Sequence, residues 1–259
     1  MCRPRVSTIL SGTAYRSSRV GSSAGGEQAK FLANNAAGHP TLVKFSPPRG
    51  TPYGELWNNL LHAEALAAQV LSEQGVNVAQ CRVVQTQQRS YLESLRFDRH
   101  GPRGHGRSHT VALHAVHQAF VSGPARNWAA TCEELERQRR LPAGTARQVQ
   151  ALRDFGQLIG NNDMHFGNLS LRVDQADVAR GRFTLAPLYD MLPMRWRPDI
   201  LSRDMTPLPF GIEAVHWRSA ARPVAAQFWQ RLAEHTAVGR DFRGLAAEML
   251  HRVNTAGPA

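Results

Sequence analysis

The residues TLVKFS, 41 to 46, form a short, mostly apolar run in which Leu42 and Lys44 share one face and Val43 and Phe45 the other. That alternation predicts a strand. After the loop PPRGTPYG, the run from Leu56 to Gln74 sets Leu60, Glu64, Ala67 and Leu71 at helical spacing, and Gly75 is placed to stop the helix. Two further strands are predicted near CRVVQT and YLESLRF, after which RHGPRGHGRSH breaks the pattern with glycine, proline and charge. Beyond this break helices prevail. ARQVQALRDFGQLIG presents Val149, Leu152, Phe155 and Ile159 on one stripe, and the tail from Pro223 to Val253 is helical, with Phe228, Leu232, Leu245 and Met249 as expected core. Between them LSLRV and FTLAP flank the polar turn VDQADVARGR and predict a hairpin. A strand-rich first third and a helical remainder predict an α+β chain of two lobes with a cleft between them, divided into 1–98 and 99–259.

Composition narrows the class. The 259 residues are 42% hydrophobic and 20% charged, which is globular. Cys2, Cys81 and Cys132 are odd in number and not spaced as a zinc or redox pair, so they read as reduced thiols. The first residues lack the apolar core of a signal peptide, and no apolar run approaches the about 18 residues of a membrane span. The expectation is a cytoplasmic protein. A formal charge of +11 suits nucleic acid, an acidic partner or a phosphorylated ligand without choosing among them. Lys30 and Lys44 are the sole lysines, and where arginine is the default cation a lysine marks a site wanting a compact ammonium.

The candidate chemistry lies in IGNNDMHFGNLSL, 159 to 171, and LAPLYDML, 185 to 192. Asp163 and Asn168 lie five apart between a helix and a strand, and Asp190 follows the second strand of the hairpin. Three oxygen-bearing side chains thus reach one sheet edge. A phosphoryl-transfer site needs this set: a carboxylate near the acceptor hydroxyl, and an amide with a second carboxylate for magnesium. Alone, an Asp and an Asn capping a loop would explain the spacing as well. The upstream order strengthens the reading: a glycine-bearing loop, Lys44 on a strand, then Glu64 on a helical face whose apolar neighbours make an unpaired carboxylate costly. Lys44 is its expected partner. His165 reads as a residue shaping the loop, and the histidines from His100 to His117 lack a convincing zinc spacing.

The pieces SSAGGEQAKF, TLVKF, HAEALAAQVLSEQGVNVA, LRFDR, IGNNDMHFGNLSL and LAPLYDML resemble the kinase part of the HipA family of bacterial toxin kinases, and within it the YjjJ-like members. The resemblance implies a two-lobed protein-kinase-like fold, with a strand-containing N-lobe and a mainly helical C-lobe, and ATP-dependent phosphorylation of serine or threonine. It implies Asp163 as catalytic base, Asn168 and Asp190 as magnesium ligands, and Lys44, paired with Glu64, as the phosphate-binding lysine. Gly25 and Gly26 would lie in the loop over the phosphates, and Leu95 and Phe97 at the hinge that meets adenine. Ser22 or Ser23 would be autophosphorylated, switching the loop out of the ATP site. Family members usually carry a further domain before this loop, where about twenty residues stand here; a short version, a split gene or a truncated frame would account for that. The implied partners are a protein substrate and an antitoxin, or a separate small protein supplying the upstream domain. Nucleic acid is a further partner that the arginines would suit, whereas no membrane contact is expected. The alternatives are a small-molecule phosphotransferase and an inactive nucleotide-binding remnant.

Overall fold

Period-two runs become strands whose register decides what faces the cleft. The computed structural model describes residues 9–10, 13–14, 16–17, 28–198 and 211–255. Cys2, Ser22, Ser23, Gly25 and Gly26 lie outside them. β1 (Ile9–Leu10) pairs with β2 (Thr13–Ala14). β3 (Arg16–Ser17), β4 (Lys30–Asn34) and β5 (Pro40–Phe45) precede α1 (Pro52–Glu73), and β6 (Cys81–Gln85) and β7 (Ser90–Leu95) follow it. These five strands form an antiparallel sheet in the order β3-β4-β5-β7-β6. Its register sets Lys30 directly opposite Lys44, so the chain's two lysines are cross-strand neighbours.

Helix α1 starts before the expected Leu56. The Thr51 hydroxyl accepts from the Gly54 N–H at 3.0 Å, and Pro52 fits the first helical position, where a missing N–H costs nothing. Its end falls where glycine predicts, Gly75 taking φ 76°. One face of α1, with Leu60, Ala67 and Leu71, is buried, and the helix packs on β6 and β7. Its other contacts reach the far end of the chain. Asn58 Nδ2 donates to the Ala237 carbonyl at 3.1 Å, the Gly239 N–H donates to Asn59 Oδ1 at 2.9 Å, and Arg231 pairs with Glu73 at 2.8 Å. The rings of His62 and His235 lie 4.9 Å apart.

The glycine-rich stretch read as a break holds a short hairpin of β8 (Arg99–His100) and β9 (Gly106–Arg107). β10 (His109–Ala112) leads into α2 (Leu113–Phe120), α3 (Trp128–Arg137) and α4 (Thr145–Leu158). β11 (Ser170–Val173) and β12 (Thr184–Leu185) form the expected hairpin, and β10 adds a third strand to it. α5 (Ala221–Glu234) and α6 (Arg240–Thr255) close the described chain. The α4 stripe of Val149, Leu152, Phe155 and Ile159 is buried, as are Phe228, Leu232 and Met249; Leu245 is half-buried. Phe155 meets Phe228 edge-on at 6.0 Å, and Trp229, whose Nε1 donates to the Leu158 carbonyl at 3.0 Å, meets Trp196 at 5.6 Å. No helix among the described residues is long and apolar enough to cross a membrane.

Candidate active site

The loop after α4 begins at a position only glycine can fill. Gly160 has φ 74°, and a Cβ there would lie 2.4 Å from the Trp196 ring. The chain then turns away from the helix, and Asn161 fixes the turn. Its Oδ1 accepts from the Asp163 N–H at 3.0 Å, while its Nδ2 reaches the Asp190 carbonyl at 3.4 Å. Asn161 is buried, so these bonds settle a side chain that would otherwise cost stability. It holds the Asp163 and Asp190 loops together, although nothing in its spacing singled it out.

Asn168 Nδ2 donates to the Asp163 carbonyl at 2.8 Å and approaches its Oδ2 at 3.4 Å. That leaves Asn168 Oδ1 as the amide's acceptor end. His165 shapes this loop as expected: its Nδ1 accepts from the Gly167 N–H at 2.9 Å, and its carbonyl accepts from Asn168 N–H and Trp128 Nε1 at 3.0 and 3.1 Å. His117, one of the clustered histidines, is a buried residue hydrogen-bonded to Thr131 Oγ1 and the Gly123 carbonyl.

Asp190 arrives by way of a parallel contact between the segment after α1 and the segment before the aspartate, where Ala79 N–H donates to the Leu188 carbonyl at 2.8 Å. It takes a left-handed backbone, φ 54°, which aspartate tolerates better than most residues. Tyr189 braces it, hydrogen-bonding Ser170 Oγ at 2.7 Å and the Gly167 carbonyl at 3.1 Å and stacking on Phe97 at 5.7 Å.

The sheet and the loops meet at Lys44. Its Nζ donates to Glu64 Oε1 and Oε2 at 2.6 and 2.7 Å and to Asp190 Oδ1 at 2.6 Å. Burial opposes the charge on Lys44, but the two carboxylates more than offset it and hold the ammonium above its ordinary pKa. Burial and the neighbouring Asp190 push the Glu64 carboxyl up to about 7, against the pull of Lys44. Burial works the same way on Asp190, yet Lys44 prevails there and keeps it below the usual carboxylate range. Glu64 is the deeper of the two, so the excess negative charge is relieved there.

Lys44, Asp163, Asn168 and Asp190 line one cavity of about 530 Å³, together with Lys30, Gln28, Trp57 and Arg197, and Glu64 lies behind Lys44. Leu95 and Phe97 do not line it. The Leu95 N–H donates to the Gln80 carbonyl at 2.8 Å, and the Phe97 carbonyl accepts from Arg172 at 3.3 Å. Among the described residues no three His, Cys, Asp or Glu side chains converge as a self-sufficient metal site. The donors present, one amide oxygen and a carboxylate beside a cationic cavity, fit magnesium, which takes few protein oxygens and shares the rest with phosphates and water.

A strand sheet with a lysine–glutamate pair, set over helices bearing this loop, defines a protein-kinase-like fold. Solved structures agree: HipA of Shewanella oneidensis MR-1, in complex with HipB and operator DNA, matches with TM-score 0.51 at 16% identity over 92% of this chain and 65% of its own. The Helicobacter pylori proinflammatory kinase CtkA matches with TM-score 0.55 at 12% identity over 90% of this chain and 89% of its own. Residues 22–256 match the HipA-like C-terminal domain, and the chain belongs to that family. It is 37% identical over 243 residues to Toxin YjjJ of Escherichia coli strain K12, covering 90% of this chain and 53% of that protein. The chain thus spans about half the length of this curated relative.

Proposed function

We propose that the protein is an ATP-dependent serine/threonine protein kinase of the HipA-like toxin class, using magnesium and working in the cytoplasm. The observation that carries this reading is the single cavity in which Lys44, held by Glu64 and Asp190, faces Asp163 and Asn168. Asn168 Oδ1 and the Asp190 carboxylate would hold magnesium, which when bound offsets phosphate charge. Lys44 directs its ammonium at phosphate oxygens, and Lys30 adds a second cation to the same wall. Asp163 takes the proton of the acceptor hydroxyl as that oxygen bonds to the γ-phosphorus and the bond from phosphorus to the β,γ-bridging oxygen breaks, releasing ADP. In this reading the lobes divide at 98/99, with Leu95 and Phe97 at the hinge, Gly25 and Gly26 over the phosphates, and Ser22 or Ser23 as the autophosphorylation site. An antitoxin, or a separate small protein standing in for the rest of a longer relative, is the partner it calls for.

The test is labelled ATP incubated with the purified chain and a cell lysate, beside an Asp163→Asn variant. Labelled protein bands, reduced by about 100 to 10,000-fold in the variant, are expected. Labelled metabolites without labelled protein would make it a small-molecule phosphotransferase, and nucleotide binding without transfer an inactive remnant.

A further inference from the structure

The loop bearing Asp163 lines two cavities. Besides the cavity that Lys44 lines, Asp163 and His165 line a second one of about 530 Å³, whose charged lining is completed by Arg126, Arg153 and Arg195. Three arginines therefore line a space in which, among the described residues, Asp163 is the sole carboxylate. Among the described residues neither the Arg126 nor the Arg153 side chain makes a hydrogen bond or ion pair, and each guanidinium offers five N–H donors in a fixed fork that matches a carboxylate.

The arginines come from separate elements that are each fixed to the loop. Arg126 precedes Asn127, which caps α3 by accepting from the Ala130 N–H at 2.9 Å, and the next residue, Trp128, donates to the His165 carbonyl. Arg153 is on α4, and the Arg195 N–H donates to the Gly160 carbonyl at 3.0 Å. Positive charge converging on one space, rather than spread over a surface, favours an anionic guest. The aromatic residues in the wall argue against a nucleic-acid strand, since Trp128 is buried with its indole N–H engaged and Phe166 packs edge-on to His117 at 5.6 Å. Trp128 therefore offers no free face for a base to stack on, and Phe166 already has a ring neighbour.

We propose that this second cavity receives an acidic peptide segment, its aspartate or glutamate side chains held by Arg126 and Arg153, with Arg195 adding positive charge, and its serine or threonine hydroxyl delivered to Asp163. The assignment rests on the transferase reading above for what the hydroxyl does there, and on the arginines alone for what binds. The peptide then enters from the cavity that Lys44 does not line, so that acceptor and phosphate donor meet at the Asp163 carboxylate. Specificity would come from residues flanking the acceptor.

Binding separates the two claims. A fluorescein-labelled peptide with one serine flanked by glutamates, and the same peptide flanked by lysines, would be titrated by fluorescence anisotropy against the Asp163→Asn chain. The glutamate peptide should bind at least about tenfold more tightly, a preference that weakens with salt. Adding Arg126→Glu and Arg153→Glu should cost it about tenfold or more in affinity, whereas Arg147→Glu, an exposed change elsewhere on α4, should cost nothing. Arg126→Gln alone, also at an exposed position, should give a smaller loss in the same direction. Equal affinity for the two peptides, indifference to the paired arginine changes, or displacement of the peptide by a single-stranded RNA oligomer that binds more tightly would overturn the proposal. Acidic-peptide binding with the expected arginine dependence, but no ATP-dependent transfer by the native chain, would overturn the transferase reading alone.

Discussion

Replacing Glu64 by glutamine tests how two carboxylates, one buried and one half-buried, share one cation. Lys44 serves both Glu64 and Asp190, so two carboxylates contact one ammonium, with Lys30 acting on Asp190 from the neighbouring strand. The Glu64 side chain is 7% exposed and that of Asp190 33%, and it is Glu64 whose carboxyl rises from 4.5 to about 7. The folded protein therefore keeps a proton there that the unfolded chain sheds. The stability this contributes is full below 4.5 and is lost as pH rises through about 7. Its slope is at most about 1.4 kcal/mol per pH unit. His62 works in the opposite direction: burial, with His235 and Arg49 beside it, lowers its pKa from 6.5 to about 4, so its contribution is present above 6.5 and lost as acid is added. In the native protein the two slopes oppose each other over much of the same range. Glu64→Gln removes one of them while glutamine still accepts from Lys44, which also keeps Asp190. Urea denaturation followed by circular dichroism, with EDTA and no nucleotide, at about pH 4.5, 5.5, 6.5 and 7.5, reads the difference. Between native and variant the titrating groups that Glu64 does not touch cancel. The variant should gain on the native protein as pH rises, by about one proton's slope. Parallel pH profiles would show Glu64 ionised throughout and refute the charge accounting.

Asp190→Ala should weaken magnesium-dependent ATP binding, measured by calorimetry with and without the ion; unchanged affinity in both conditions would remove Asp190 from the metal's ligands. Gly160→Ala meets both the left-handed backbone and the Trp196 ring, and should lower stability by about 1 to 3 kcal/mol, with partial recovery on Trp196→Phe, as read by thermal unfolding. Active protein made in cells should carry phosphate on Ser22 or Ser23 by intact-mass and peptide spectra, and Asp163→Asn protein should carry none.

Elements whose signal is local were legible in the sequence: α1 from its spacing and Gly75, α4 from its apolar stripe, and β5 to β7 from alternation. β10 was not, because its four residues follow directly on a glycine- and histidine-rich stretch and gain their order from pairing with β11, some sixty residues later. The Lys44–Glu64 contact was foreseeable from the cost of an apolar-face carboxylate. That Lys44 also reaches Asp190 was not, since the contact spans 146 residues and depends on how the lobes pack. Asn161 and Tyr189 position the loops through buried amide and hydroxyl bonds, for which no spacing rule exists. The arginines of the second cavity were invisible for a different reason: in a chain with 31 basic residues, convergence in space leaves no mark in order.

Helix α1 carries Glu64, yet Asn58, Asn59, His62 and Glu73 fasten the same helix to Ala237, Gly239, His235 and Arg231. Swinging it outward to part Glu64 from Lys44 would forfeit all of these contacts at once, at roughly 1 kcal/mol for each hydrogen bond besides the buried ion pair. The lysine–glutamate pair is thus assembled when the chain folds and left in place afterwards. On the proposed reading, silencing the protein would mean obstructing its cleft, because parting the pair would mean unpicking the C-terminal helices as well.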